Sequence, residues 1–292
     1  MSAVAAPPAR RIDPQLLRQR VAALPALPQA VMDVVVSLRS ESGSAEDCAQ
    51  RIARDPAMTA RTLRLANSAF YGVPGRVATI RDAIHMLGRR TLGSLLTTAT
   101  LSAQFSASSC PGFEFAGFWR HTLGVAIASQ LIAAELRCED DVAFTAGLLH
   151  DIGLLALAAH FPAELSAVLA HAQAADISLL AAERATLAVD HVQVGAMIAT
   201  HWHFPPVVVE AIASHHQPSD PTPRGAGASL AEIVHLADAV THALDIAGAE
   251  NEMVTEIDPA VWDRLALSPK QVLHVFERTE AGVTALCQAL AL

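Results

Sequence analysis

The 292-residue chain is predicted to be all-α, and three observations carry the prediction. Hydrophobic residues make up 52% of it and charged residues 17%, so it can bury a large core and does not read as a disordered tail or linker. Aromatics reach only 4%, which leaves Ala, Leu and Val to fill that core, and these suit close-packed helices better than sheets. No stretch alternates apolar and polar residues as a strand does, whereas helical spacing and helix caps recur along the whole length.

The elements follow in order. A proline-rich leader ends in Leu24-Pro-Ala-Leu-Pro28, a stiff extended entry because each proline disfavours α for the residue before it. Ala30 to Leu38 has helical apolar spacing, and Gly43 sits in its stop. Ser44-Ala-Glu-Asp47 caps a helix to about Arg54, and Asp55-Pro56 opens another over Ala57 to Ala66 that closes in Asn67-Ser-Ala-Phe-Tyr-Gly72. Thr79-Ile-Arg-Asp82 caps Ala83 to Leu87, Gly88 breaks it, and a longer helix runs from about Arg89 to Gln104. Beyond the Ser106 to Gly112 boundary the helices lengthen: Phe115 to Leu136, Asp141 to Ala159, Ala163 to Ala175, Ser178 to Trp202, Pro206 to Ser214, Leu230 to Ile246 and Pro269 to Leu290. Thr222 to Ala228 is a loop. The organisation is therefore a leader over 1–23, a bundle of short helices over 24–105, a second helical bundle over 113–247 and a helical extension over 248–292.

Net charge is −9, divided as +6 over the first hundred residues and −15 over the rest. The early arginines are spread through amphipathic segments, so solvated helix faces explain them and nucleic acid is not expected as a partner. Mean hydropathy is +0.34. Even so, the long charge-free windows contain Ser, Thr, His or paired prolines, and neither a membrane span nor a signal peptide is expected. The four cysteines, Cys48, Cys110, Cys138 and Cys287, are scattered singly without metal-site or disulfide spacing. A cytoplasmic protein with free thiols is the expectation.

The histidines carry the chemistry. His121, His150-Asp151, His191, His215-His216 and Asp238 fall on five expected helices that could converge inside one bundle, where facing helices project metal ligands inward. Imidazole nitrogen and carboxylate oxygen suit Zn, Fe, Mn, Ni or Co, and the absence of Cys from the set argues against a purely structural zinc. His150-Asp151 stands in the otherwise apolar run Ala146-Gly-Leu-Leu-His-Asp-Ile-Gly-Leu-Leu155, where a carboxylate is costly without a compensating cation. Adjacent residues on a helix point about 100° apart. One metal could take both only in an opened groove, and two metals sharing the carboxylate is the equal alternative. His85, His160, His171, His235, His242 and His274 are assigned to the surface or to satisfied core positions.

These residues resemble a known pattern. His121, His150-Asp151 and Asp238 match the H…HD…D signature of the HD superfamily of metal-dependent phosphohydrolases, and His191 with His215-His216 match the added ligands of its two-metal members, among them HD-GYP phosphodiesterases. The resemblance is sharper to the HDOD branch, through Leu24 to Pro28, Asp55 to Gly72, Ile80 to Gly88, Trp202-His-Phe-Pro205 and Ala211 to His216. It covers roughly residues 24 to 247 and implies an all-α output module of bacterial signal transduction. Asp55, Arg61, Asn67 and Tyr71, in its most specific stretch, are expected to be structural.

The chain departs from HD-GYP at three places: Leu154 stands where that motif has Lys, His215-His-Gln-Pro lacks the following Gly-Tyr-Pro signature, and Gly117 stands where three-metal members carry Glu. A missing fixed cation removes stabilisation of developing charge, an effect often worth about 10²–10³ in rate. The leading expectation is a regulatory module with one or two divalent first-row metals held by the seven residues, signalling proteins as partners and a nucleotide or phosphate as a ligand. A metal-dependent phosphohydrolase acting on a nucleotide or cyclic dinucleotide is the first alternative, and a metal-free scaffold the second. Around the site only Arg120 and Arg184 offer cations for phosphate.

Overall fold

A computed structural model describes residues 11–24, 49, 52, 56–67, 77–88, 92, 110–218, 227–248 and 255–290. Their helices are α1 (Pro14–Ala22), α2 (Pro56–Ala66), α3 (Ile80–Leu87), α4 (Phe115–Glu135), α5 (Asp140–Leu149), α6 (Ile152–His160), α7 (Pro162–Ala175), α8 (Leu179–Leu187), α9 (His191–His201), α10 (Pro206–Ser214), α11 (Leu230–Ala243), α12 (Pro259–Leu265) and α13 (Pro269–Leu290). No strand occurs among the described residues. The expected helices over Ala30 to Leu38, Ser44 to Arg54 and Arg89 to Gln104 lie largely or wholly outside the described residues, as do Asp55, Tyr71, the side chain of Arg61 and most of the 106–112 boundary and the 222–228 loop.

Apart from the half-buried Arg120, every residue of α4 from Gly117 to Ser129 is buried, as a helix with apolar residues on all its faces must be. It is the hub, packed by α5, α11 and α13. One face of α4 joins the large core formed with α5 to α11, through Val125, Ala128 and Ile132. Leu123 and Ile127 on another face, with Phe144 and Leu148 of α5, join a second core with Leu65 of α2 and Ile84 of α3. The C-terminal helix α13 ties the two together, Val275 lying in the first core and Val283 and Leu286 in the second. The stretch Asp140–His160 is long and apolar enough to cross a membrane, yet 89% of its most apolar window is buried inside the bundle.

The stretch read as a leader contains α1. Asp13 caps it through a 2.8 Å hydrogen bond from the Gln15 N–H, Pro14 supplies a preset first turn, and Leu17 and Val21, four apart, are buried. The same Asp-Pro device, Asp258-Pro259, starts α12, a helix not singled out beforehand within the 248–292 extension. Thr79 caps α3 as expected, accepting from the Asp82 N–H at 3.1 Å. Ser229 and Glu232 form a reciprocal capping box on α11, and Arg264 of α12 also grips the Glu232 carboxylate, pinning α12 to α11.

Asn67 closes α2 with its side chain. Its Nδ2 donates to Leu63 O and Val77 O, each at 2.8 Å, and its Oδ1 accepts from the Val77 N–H at 3.0 Å, so one amide joins α2 to the entry of α3. Asn67→Ala strands these backbone groups and is expected to destabilise the protein by about 1–3 kcal/mol. Chemical denaturation measures it, and an unchanged stability would make Asn67 a partner-facing residue instead.

Candidate metal centre

Two expected helices are each split in two, and the splits build the site. Helix α5 ends at Leu149 and α6 begins at Ile152, with Asp151 between them at φ −104°, ψ 18°, outside helical geometry. The kink turns both side chains to one side, and His150 Nε2 lies 3.3 Å from Asp151 Oδ2. The second split comes at Ala188, left-handed at φ 60°. Asp190 then caps α9 by accepting from the Gln193 N–H at 2.9 Å, which places His191 at the first position of α9. Helices α6 and α9 cross with their backbones almost touching at Gly153. A Cβ there would lie 1.9 Å from His191 O.

All seven residues come together. Asp151 Oδ1 faces His191 Nε2 at 3.4 Å and His215 Nε2 at 3.6 Å, and its Oδ2 faces His150. Asp238 Oδ1 lies 3.1 Å from His121 Nε2 and 3.2 Å from His242 Nε2, with His150 Nε2 at 4.0 Å. Three sets of ligand atoms each fall within 4.8 Å of one another: Asp151 with His191, His215 and His216; His121 with His150 and Asp151; and His121 with Asp238 and His242. Asp151 belongs to two of the sets.

The second nitrogen of the rings explains why the first points inward. His150 Nδ1 bonds Gly147 O at 2.7 Å, His215 Nδ1 bonds Ile212 O at 3.0 Å, and His191 Nδ1 bonds the buried Glu183 Oε2 at 2.6 Å. A carbonyl can only accept, so in the neutral rings of His150 and His215 the proton sits on Nδ1 and the Nε2 lone pair faces the cluster; a carboxylate imposes the same on His191. Metal-ligating histidines are held in this way. His215 Nε2 and Asp151 Oδ1 are buried and make no hydrogen bond, while His191 Nε2 and His216 Nε2 stand 2.9 Å apart. Inward-turned ring nitrogens, an idle carboxylate oxygen and N/O donors alone make a chemistry that fits a divalent cation once His191 gives up its proton.

The charges agree. Burial opposes ionisation of Asp151 and Asp238, yet the facing imidazoles outweigh it and hold both carboxyls well below their usual range. Burial also opposes charge on His191, but Glu183 and Asp151 prevail and raise it to about 9. Burial, reinforced by His191, pushes His216 down to about 4, and burial with His216 takes His215 well below the ordinary imidazole value.

Two residues of the cluster were not foreseen. His242, assigned to the surface or core, reaches Asp238 from the next turn of α11, and that i, i+4 spacing was the signal for it. Glu183 had no such signal, since one Glu in an amphipathic helix reads as a solvated face. It is fully buried and also accepts from the His191 N–H at 2.9 Å. His235 is the satisfied core histidine expected, bonding His215 O through Nδ1 and accepting from the Asp258 N–H. The two candidate phosphate cations are committed elsewhere: Arg120 donates to Ile246 O and Ala247 O, and Arg184 Nε to Asp190 Oδ2 at 2.7 Å.

The HDOD domain family matches residues 24–218 of the chain. Among solved structures, an HDOD domain protein of unknown function from Geobacter sulfurreducens superposes with TM-score 0.71 at 23% identity, covering 94% of this chain and 95% of that one. A candidate phosphohydrolase from Shewanella amazonensis SB2B gives 0.63 at 28%, covering 90% and 97%. Ribonuclease Y of Bacillus thuringiensis (strain Al Hakam) is 32% identical over 124 residues, 42% of this chain. The chain spans 39% of the length of one curated relative, from Treponema pallidum, and 18% of ribonuclease Y. With the family matched across two-thirds of the sequence and an all-helical fold that superposes on a solved HDOD domain, the chain belongs to the HDOD domain family.

Proposed function

We propose that this chain is a regulatory HDOD module that binds two divalent first-row metals, one among Asp151, His191, His215 and His216 and the other among His121, His150, Asp238 and His242, with Asp151 between them. The inward-facing Nε2 atoms, fixed from behind by Gly147 O, Ile212 O and Glu183, carry the reading. Bound metals would supply positive charge that clamps a phosphate group. The chain's own residues orient the metals and, through the apolar walls of α4 and α6, limit water. Signalling proteins in the cytoplasm are the partners this reading implies, and a nucleotide or phosphate the ligand.

The second reading is a metal-dependent phosphohydrolase, favoured by the likeness to ribonuclease Y and to the Shewanella structure. Against turnover stand Leu154, buried where HD-GYP proteins carry Lys, and the engagement of Arg120 and Arg184. Phosphate would then be held equally in ground and transition states, which does not raise kcat. Metal analysis of protein purified without chelator, followed by assays on nucleotides, cyclic dinucleotides and single-stranded RNA with Mn²⁺ or Fe²⁺, tests both. Bound metal with turnover far below about 1 s⁻¹ supports the module; turnover at or above about 1 s⁻¹ establishes the hydrolase. Protein without metal leaves only a scaffold.

Glu183 gives this site a pH signature. Metal-free His191 keeps its proton up to about pH 9, so its ion pair with Glu183 stabilises the metal-free fold at neutral pH and fades as pH rises through 9. Metal needs the neutral ring. Affinity should therefore rise with pH by about tenfold per unit for this one released proton. Glu183→Gln keeps the shape, returns His191 toward its ordinary pKa, flattens that slope, and weakens metal binding by about 10–100-fold. Calorimetric titration between pH 6 and 9 reads both quantities.

A further inference from the structure

An apolar cavity of about 190 Å³ lies on the far side of α11 from the histidines, lined by Ile132, Leu236, Val240, Ile257, Trp262 and Phe276. Among its described lining residues is the hydroxyl of Thr255, whose Oγ1 donates to Asp238 Oδ2 at 3.2 Å. Three residues on, the Asp258 N–H donates to His235 Nε2 at 3.0 Å, and His235 Nδ1 bonds His215 O at 2.7 Å. The short segment 255–258 thus forms one wall of the cavity, touches Asp238 of the cluster directly and reaches the backbone of His215 through His235.

We infer that this cavity is a binding site for a small neutral apolar molecule, and that its occupation is transmitted to the histidine cluster through residues 255–258. Among the described residues the lining contains no charged side chain, so an ionised ligand would lose its hydration without compensation. Size narrows the class further: drug-sized ligands fill about 300–1,000 Å³, whereas about 150 Å³ of Leu, Ile and Phe surface accepts benzene or xenon. One aromatic ring or a short alkyl chain fits. Trp262 is 42% exposed and Ile257 36%, so the cavity has an apolar mouth through which such a molecule enters. A ligand pressing on Ile257 displaces Thr255 and Asp258 with it, because Ile257 is bonded to Asp258 and lies two residues from Thr255.

The transmission half rests on the proposed metal reading; the binding half does not. Benzene titrated into the metal-free full chain, followed by calorimetry and by the amide resonance of Asp258, should bind with a shift at Asp258. Ala239→Leu and Ala243→Leu, which fill the cavity from α11, should abolish both. In the metal-loaded protein, benzene should change metal affinity by about fivefold or more, and metal should change benzene affinity by the same factor. No benzene binding up to its solubility limit, or binding indifferent to both filling variants, overturns the site. Binding that leaves Asp258 and the metal affinity unmoved overturns the transmission, and a chain that binds benzene but no metal refutes the metal reading alone.

Discussion

His150→Ala combined with Asp151→Ala abolishes metal binding while the helical bundle survives. Asp151 lies in two of the three ligand groups and faces His150, His191 and His215 within 3.6 Å, so its removal strips a carboxylate from both proposed positions at once. Removing His150 with it takes the imidazole whose charge Asp151 most directly offsets, which spares the core a buried ion without its partner. The sites α5 and α6 use for packing, Phe144, Leu148 and Leu155, are untouched. Metal analysis should find no ion in the double variant. Wild type with free metal at a hundred times its Kd should gain about 2.7 kcal/mol over its chelated form, and the variant should gain nothing. Full metal occupancy in the variant would falsify the ligand assignment.

The sequence was most readable where one residue decides the local outcome. Pro206 to Ser214 and Pro269 to Leu290 are helices at the expected bounds, because a proline presets each first turn. Asp13-Pro14 and Asp258-Pro259 carry the same signal as Asp55-Pro56; the first was passed over because it lies in a stretch read as a leader, and the second lies unmarked in an extension expected to be helical. The seven proposed ligands stood out because polar groups in apolar runs are costly. What stayed hidden was tertiary. Neither residue at the His150-Asp151 break is a Gly or Pro, and alanine is an unexpected left-handed residue at position 188, so neither split announced itself. Both accompany contacts that only the folded chain makes, the cluster at the first and the Glu183 grip on His191 at the second. Glu183 is recognisable only once its burial is known.

Gly153→Ala should be the most damaging added methyl group among the described glycines. Helix propensity alone points the other way, since alanine in a helix interior is favoured over glycine by roughly 0.5–1 kcal/mol. Space decides the sign. The added Cβ would stand 1.9 Å from His191 O and 2.7 Å from Gly195 N, both backbone atoms at the α6–α9 crossing, so no side chain can rotate away and the helices must part. Overpacking ordinarily costs about 1–3 kcal/mol and occasionally more, and a clash with two backbone atoms belongs at or above the top of that range. Parting α6 from α9 also carries Asp151 away from His191, so metal affinity falls together with stability. Gly195→Ala is the comparison: the tight contact of its Cβ is with the Ile212 methyl Cγ2 at 2.9 Å, a side chain that can yield, the backbone N of Gly153 lies at an ordinary 3.4 Å, and it should cost markedly less. Denaturant unfolding and metal titration of the two variants measure this directly. If Gly153→Ala proves as stable as wild type, the close crossing that sets His191 beside Asp151 does not exist in solution.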